Sequence, residues 1–234
     1  GYHLVNVGIH IINAFLVLWL SYSTLNSPKV DKNSFCLKPI HLAYTVSLIF
    51  LVHPVQTQAV SYITQRFASM ATLFYVLSVA SYAHYRRKNR WLFLIICLLA
   101  AICAVFSKQI ALSLPVMLFI YDRLFFPSPR RKMIGVLAGI GGVFLIIPAY
   151  YSFDIVRFLQ ASQPSKSHLG DMLTLSSYLL TQFKVLVVYL KVFIFPLHQN
   201  FLYDFPVSVS WLEVKTFLSF WLIAGLLFSS MYWL

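Results

Sequence analysis

The sequence predicts an all-α protein, a polytopic bundle of transmembrane helices. Of its 234 residues, 60% are hydrophobic and only 10% are charged, whereas a soluble domain has about 25% charged residues. Hydrophobic runs of about 20 residues recur along the chain. As a helix, a run of this length crosses a hydrocarbon core of about 30 Å. The runs are continuous rather than alternating, which argues against the short strands of a membrane β-barrel.

Most of the apolar runs are expected to cross the membrane. The predicted spans are 4–22, 39–54, 67–84, 91–107, 110–126, 133–151 and 215–234. A further apolar segment, 173–197, contains Lys184 and Lys191, and one lysine at mid-bilayer costs about 2.5–3.5 kcal/mol. An interfacial or re-entrant helix on the external face avoids this cost. A span whose lysines face a polar cavity is the alternative.

Basic residues predict the orientation of the bundle. Most of the net charge of +12 falls in loops that follow every second span, namely 23–38, 86–90 and 122–132. Lys and Arg mark cytoplasmic loops, so the intervening connections are expected on the external face. These are 53–66, 107–109 and 152–172. The net positive charge is therefore a topology signal. It favours contact with anionic membrane lipids over binding of nucleic acid.

The ends of the sequence indicate a fragment. Gly1 stands in place of an initiator Met directly before the first run, and Leu234 closes the last run without a polar flank. We therefore expect 1–234 to be a single transmembrane domain of a longer chain, with an external interfacial helix at about 173–197.

The cysteines predict neither disulfides nor a metal site. Cys36 falls in a cytoplasmic loop, whereas Cys97 and Cys103 lie within one span. An odd number in these places argues against a disulfide framework, and no CxxC signature occurs. No cofactor is evident, and no motif supports a divalent metal.

The first span carries a polar stripe. Its members are His3, Asn6, His10 and Asn13, which lie within an arc of about 80° on a helix. Hydrogen bonding to other helices is one interpretation, and the lining of a cavity is the alternative. His3 and His10 are about 10 Å apart along the axis, too far for the usual i, i+4 metal pair.

Four blocks resemble the membrane portion of the GT-C glycosyltransferases. They are "GYHLVNVGIHIINAFLV", "HPVQTQAVSYITQRFASMATLFYVLSVASY", "SKQIALSLPVMLFIYDRLFF" and "YLLTQFKVLVVYLKVFIFPLHQNFLYDFP". They are most similar to the transmembrane-and-TPR-repeat proteins, a branch related to the protein O-mannosyltransferases. The resemblance implies a polyprenyl- or dolichyl-phosphate-linked sugar donor. It also implies transfer at the periplasmic or luminal face, in a bacterial inner membrane or the endoplasmic reticulum, to an acceptor such as a protein hydroxyl.

Two departures from the family bear on catalysis. Gln58 and Gln109 stand where similar proteins commonly have Glu, so a carboxylate role there is in doubt. The acidic pair of the family lies in an external loop upstream of Gly1, so the general base is expected there and the catalytic residues are unknown. A non-catalytic membrane scaffold and a transporter or flippase of lipid-linked sugars are the alternative functions.

The candidate site residues are polar and charged residues predicted to lie at the external face. A transferase needs positive groups where the leaving phosphate develops charge. The candidates for binding this donor phosphate are Arg66, Lys108, Lys184 and Lys191. The alternative is that these side chains snorkel to lipid headgroups. Candidates for sugar or acceptor binding are His53, Gln56, Gln58, Gln65, Gln109 and Asp204. His53 precedes Pro54 and would also end a helix, and Asp204 would also suit a solvated loop. Asp122 and Arg123 are expected to form an interfacial pair on the cytoplasmic side, with no part in the chemistry.

Overall fold

The computed structural model is all-helical in the part of the chain that it describes. That part comprises residues 2–31, 35–62, 65–127, 135, 141–142, 175–197, 205–208, 210–211 and 213–232. The chain forms two compact units, an N-terminal unit Gly1–Tyr150 and a C-terminal unit Tyr151–Leu234. Most of the predicted span 133–151, the whole loop 152–172 and Asp204 lie outside the described residues. The expectation of one transmembrane domain stays a prediction.

Eight α-helices are described. In the N-terminal unit they are α1 Tyr2–Leu25, α2 Pro39–Val52, α3 Thr57–Ser61, α4 Arg66–Lys88, α5 Trp91–Ser107 and α6 Leu114–Phe125. Two short 3-10 helices, Pro54–Gln56 and Gln109–Ser113, stand before α3 and α6. In the C-terminal unit they are α7 Leu175–Ile194 and α8 Val214–Tyr232.

Two prolines set the breaks between helices. α2 ends at Val52, and the next residue, His53, is extended (φ −65°, ψ 126°) because Pro54 disfavours helical geometry in the residue before it. The axes on either side of this break differ by 48°. Pro115 lies in the first turn of α6, where its missing N–H costs no intrahelical bond. The predicted span 110–126 therefore begins as a 3-10 helix and only then becomes α-helical.

Within the described residues, three helices are long and apolar enough to cross a membrane. They are His3–Leu25, Arg66–Lys88 and Ser176–Ile194, and the bent pair Pro39–Val52 with Pro54–Ser61 is a fourth if it counts as one span. Trp91–Ser107 and Val214–Ser230 are apolar but shorter. The membrane class thus has direct support, whereas about seven spans stays a prediction. By length and composition α7 is able to cross, so its interfacial placement also stays a prediction.

The helices of the N-terminal unit alternate in direction. His10 of α1 contacts the carbonyl of Leu51, and Ser47 donates to the carbonyl of Ala14, so α1 and α2 are antiparallel. α1 and α4 run parallel, because Asn6 accepts from Arg66 near their starts and Ser23 accepts from Arg87 near their ends. Small residues at the α4–α5 contact let the two backbones approach closely; these include Ser78, Ala83, Cys97, Ala101 and Ala104.

This alternation gives the N-terminal unit two different ends. One end gathers the basic loops: Lys29 donates to the carbonyl of Arg123 at 2.6 Å, and the guanidinium of Arg87 lies 5.7 Å from the ring of Tyr22. We call it the basic end. The other, which we call the polar end, holds the start of α1, the corner 53–62 and the 3-10 helix Gln109–Ser113. That the polar end is external stays a prediction.

Candidate functional site

Asn6 organises the polar end from inside. Its side chain is fully buried, and its Nδ2 donates to the carbonyls of Val60 and Tyr62 at 3.3 and 3.4 Å. Its Oδ1 accepts from Nε of Arg66 at 3.2 Å. One amide thus fixes α1, the short helix α3 and the first residue of α4 to one another.

The polar stripe of α1 makes hydrogen bonds to other helices. His10 Nε2 lies 3.0 Å from the carbonyl oxygen of Leu51. Asn13 Nδ2 donates to the carbonyl of Ser69 at 3.2 Å. Asn6, His10 and Asn13 are all buried, whereas the side chain of His3 is exposed. Three of the four stripe residues therefore face the bundle, as the spacing predicted.

A cavity of about 210 Å³ lies beside the stripe. It is a partly open cleft between α1, α2, the corner and α4. The residues that line it are His10, Asn13, Phe50, Gln56, Ala59, Ala68, Ser69 and Thr72. The ring of His10 lies 5.4 Å from that of Phe50. No charged side chain is among those that line the cavity, so it suits a small neutral ligand better than a charged one.

A second cavity lies between α4 and the corner after α5. It has a volume of about 250 Å³ and is lined by Ala71, Thr72, Tyr75, Ile110 and Ser113. Thr72 lines both cavities, so the corner after α5 packs beside the first turns of α4. Lys108 and Gln109 begin that corner, and both are exposed.

The remaining candidate residues at the corner after α2 differ in their surroundings. His53 Nδ1 accepts from the backbone N–H of Val55 at 3.2 Å and so caps the break after α2. Gln56 lines the 210 Å³ cavity. Gln58 is exposed and Gln65 is half-buried directly before α4. Of the predicted sugar or acceptor residues in this unit, Gln56 is thus the one that lines the cavity next to the stripe.

In the C-terminal unit Lys184 holds a connecting segment. Its Nζ donates to the carbonyl of Pro206 at 2.9 Å and lies 3.5 Å from a carboxylate oxygen of Glu213. The N–H of Ser208 donates to Thr181 of the same helix at 2.9 Å. Lys191 is exposed near the end of α7. The spacing of the two lysines predicted a shared helix face, but nothing local in the sequence signalled Glu213 as a partner.

At the basic end, Asp122 pairs differently from the prediction. The carboxylate of Asp122 is fully buried, lies 2.7 Å from Nε of Arg86, and accepts from the hydroxyl of Tyr82 at 2.7 Å. Arg123 is exposed. The expected pair of Asp122 with Arg123 was wrong because neighbouring helical residues do not face each other. That Asp122 and Arg123 have no part in the chemistry stays a prediction.

Within the described residues, no group of three or more His, Cys, Asp or Glu side chains is placed to hold a metal ion. The cations and amides of the polar end instead suit an anionic or hydroxyl-bearing ligand, because they offer hydrogen-bond donors without a competing carboxylate.

Comparisons with known proteins give the same class as the fold. No protein-family model and no solved structure matches the chain. The protein O-mannosyl-transferase Tmtc1 of Drosophila melanogaster is 27% identical over 113 residues, 48% of this chain and 12% of that protein. A protein O-mannosyl-transferase of Caenorhabditis elegans is 27% identical over 169 residues, 70% of this chain and 22% of its own. TMTC1 of Mus musculus is 30% identical over 140 residues, 56% and 14% respectively.

The described helices and the polar and basic ends define a helical membrane protein. Within that class, the chain resembles the membrane domain of the TMTC-type protein O-mannosyl-transferases, which confirms the resemblance carried by the four sequence blocks. The similarity is distant, and the matched segments span less than a quarter of each of these relatives.

Proposed function

We propose that this chain is the donor-binding membrane part of a glycosyltransferase. It takes a sugar from a polyprenyl- or dolichyl-phosphate carrier and passes it to a protein hydroxyl at the polar end of the N-terminal unit. Support comes from the distant similarity to protein O-mannosyl-transferases. The names of these relatives make mannose the sugar to test first.

The observation that carries the proposal is the position of Arg66. It stands at the first position of α4, half-buried, with its Nε held by the buried Asn6. Backbone N–H groups at a helix start favour an anion, and a guanidinium adds a planar set of donors for phosphate oxygens. A lipid phosphate released as the sugar leaves would gain charge next to these donors, which is where stabilisation speeds transfer.

Three further lysines are the other proposed phosphate contacts. Lys108 begins the corner that packs against α4 and is the second phosphate contact. Lys191 is exposed on α7 and remains a candidate. The contacts of Lys184 with Pro206 and Glu213 favour a role in holding the segment 205–213, with phosphate binding as the further proposal for it.

The orientation follows from the charges. The basic end gathers the Lys and Arg loops, which favours a cytoplasmic location, and the polar end then faces the lumen. The three relatives are animal proteins, which favours the endoplasmic reticulum over a bacterial membrane. About seven spans, with α7 at the external interface, and TPR repeats elsewhere in a longer chain complete the proposed architecture.

The general base that deprotonates the acceptor hydroxyl is proposed to lie outside the sequence 1–234. Gln58 and Gln109 are neutral amides and so cannot take a proton from a hydroxyl. A carboxylate from the longer chain upstream of Gly1 is proposed as the general base. His53, Gln65 and Asp204 remain candidates for contact with the acceptor.

Donor affinity in the full-length protein tests the proposal. One charged hydrogen bond contributes about 1.5–3 kcal/mol, so Arg66→Ala should weaken binding of dolichyl-phosphate mannose roughly 10- to 150-fold. Arg66→Lys should recover part of the loss, because the fork geometry is missing, and Lys108→Ala should show a smaller loss. Lys88→Ala is the matched control, since Lys88 is an exposed cation at the opposite end of α4. Equal affinities for all variants, with normal folding, would mean that Arg66 only snorkels.

A further inference from the structure

Asn13 has a fixed orientation in the bundle. Its Nδ2 donates to the carbonyl oxygen of Ser69 at 3.2 Å. A carbonyl oxygen can only accept, so the amide nitrogen must point to Ser69 and Oδ1 must point the other way. Asn13 is 3% exposed. Among the residues that the structure describes, Oδ1 of Asn13 has no hydrogen-bond partner.

The contrast with Asn6 shows that this is a local feature. Both asparagines belong to the same stripe of α1 and both are buried. Asn6 uses its amide nitrogen on Val60 and Tyr62 and its oxygen on Arg66. Asn13 uses only its nitrogen. A buried acceptor without a donor is unfavourable, so a donor from a bound group would stabilise the site.

The cavity beside Asn13 restricts which group can provide that donor. No Asp, Glu, Lys or Arg is among the residues that line its 210 Å³, so it favours a neutral ligand. It is smaller than the roughly 300–1,000 Å³ of pockets that hold drug-sized ligands, which suits a single sugar ring. His10, Gln56 and Thr72 add polar groups to its wall, and Phe50 adds an aromatic one.

We propose that this cavity is a sugar subsite, in which Oδ1 of Asn13 accepts a hydrogen bond from a ring hydroxyl of the donor. The proposal rests on the proposed function for the lipid phosphate at Arg66. Asn6, which contacts Arg66, and Asn13 are seven residues apart, about 10 Å along α1. That separation suits a sugar ring joined to a phosphate. A hydroxyl of the acceptor protein has the same chemistry and is distinguished by the test.

The test compares two lipids, dolichyl-phosphate mannose and dolichyl phosphate, binding to the full-length protein. The wild type should bind the sugar-bearing lipid more tightly. Asn13→Leu removes the acceptor and should lower that preference about three- to tenfold, the effect of one neutral hydrogen bond. Ala68→Leu fills the cavity, keeps Asn13 in place and should abolish the preference. Affinity for dolichyl phosphate should not change in either variant.

Ser47→Ala is the matched control, because Ser47 also ties a helix to α1, through the carbonyl of Ala14, and is not part of the cavity wall. It should leave the preference unchanged. Equal wild-type affinity for the two lipids, or a preference that survives both Asn13→Leu and Ala68→Leu, overturns the sugar subsite alone. A loss confined to the affinity for a Ser/Thr acceptor peptide also overturns it and assigns the cavity to the acceptor. If neither lipid binds, the proposed function and the subsite fail together.

Discussion

Oδ1 of Asn6 accepts a hydrogen bond from Nε of Arg66 over 3.2 Å, and so joins the polar stripe of α1 to the start of α4. The same side chain binds the carbonyls of Val60 and Tyr62. The cation proposed to meet the lipid phosphate is therefore positioned by a fully buried residue 60 positions away in sequence.

Asn6→Ala should loosen the corner before α4. It removes the hydrogen bonds of Asn6 to two backbone carbonyls and one guanidinium nitrogen, which should lower the free energy of unfolding by about 1–3 kcal/mol. Thermal unfolding in detergent measures the loss, and hydrogen exchange of residues 57–62 should speed up. Thr72→Val is the control, since Thr72 is exposed and bonds the carbonyl of Ala68 in its own helix. An equal effect of the two variants would contradict the assigned role of Asn6.

Asp122→Asn should be more destabilising than a change at its neighbour. Asp122 is buried between Arg86 and Tyr82, and removing one charge of a buried pair costs about 3–5 kcal/mol. Arg123→Gln, at an exposed position, should change stability by less than about 0.5 kcal/mol. Thermal unfolding of both variants is the measurement. Similar losses would restore the interfacial pair of Asp122 with Arg123.

Thiol labelling should show the polar and basic ends on opposite sides of the membrane. Cysteines introduced at the exposed Ser61 and Ser210 should react with an impermeant reagent added outside. The native Cys36, exposed in a basic loop, should react only after permeabilisation. Ser208 is unsuitable because it is buried against Thr216. Labelling of position 210 only from the cytoplasm would show that α7 crosses the membrane and is not interfacial.

The Lys184–Glu213 pair should matter less than the hydrogen bond beside it. The Glu213 side chain is 37% exposed, and partly exposed ion pairs contribute about 0–1 kcal/mol. Glu213→Gln should therefore change the unfolding temperature little. Lys184→Met also removes the bond to the carbonyl of Pro206 and should cost more, whereas Lys191→Met at an exposed position is the control. A larger loss for Glu213→Gln than for Lys184→Met would reverse this ranking.

Sequence patterns predicted the helices better than the contacts between them. Apolar runs and Pro54 located α1, α2 and α4 closely, because length, hydropathy and backbone restriction are local properties. The spacing of Asn6, His10 and Asn13 predicted a face directed at other helices. Apart from Arg66, the partners of that face are backbone carbonyls, which leave no mark in side-chain chemistry.

Pairs that depend on packing were not predictable in the same way. Arg86 meets Asp122 only because α4 and α6 run parallel, and the sequence offered the adjacent Arg123 instead. Lys184 meets Glu213 only because Pro206, Ser208 and Glu213 lie against α7. The amide of Asn13 is a further case. The sequence does not show that Oδ1 of Asn6 accepts a hydrogen bond from Arg66, whereas Oδ1 of Asn13 has no donor among the described residues.

The central claim is that the polar end of the N-terminal unit supports sugar transfer from a lipid phosphate. The most direct measurement is transfer of mannose from dolichyl-phosphate mannose to a Ser/Thr peptide by the purified full-length protein, with Arg66→Ala and Lys88→Ala in parallel. The account predicts transfer by the wild type and by Lys88→Ala, and at least a tenfold loss for Arg66→Ala. Donor binding without transfer, or transfer that is unchanged in Arg66→Ala, would contradict it; the first result would favour a scaffold.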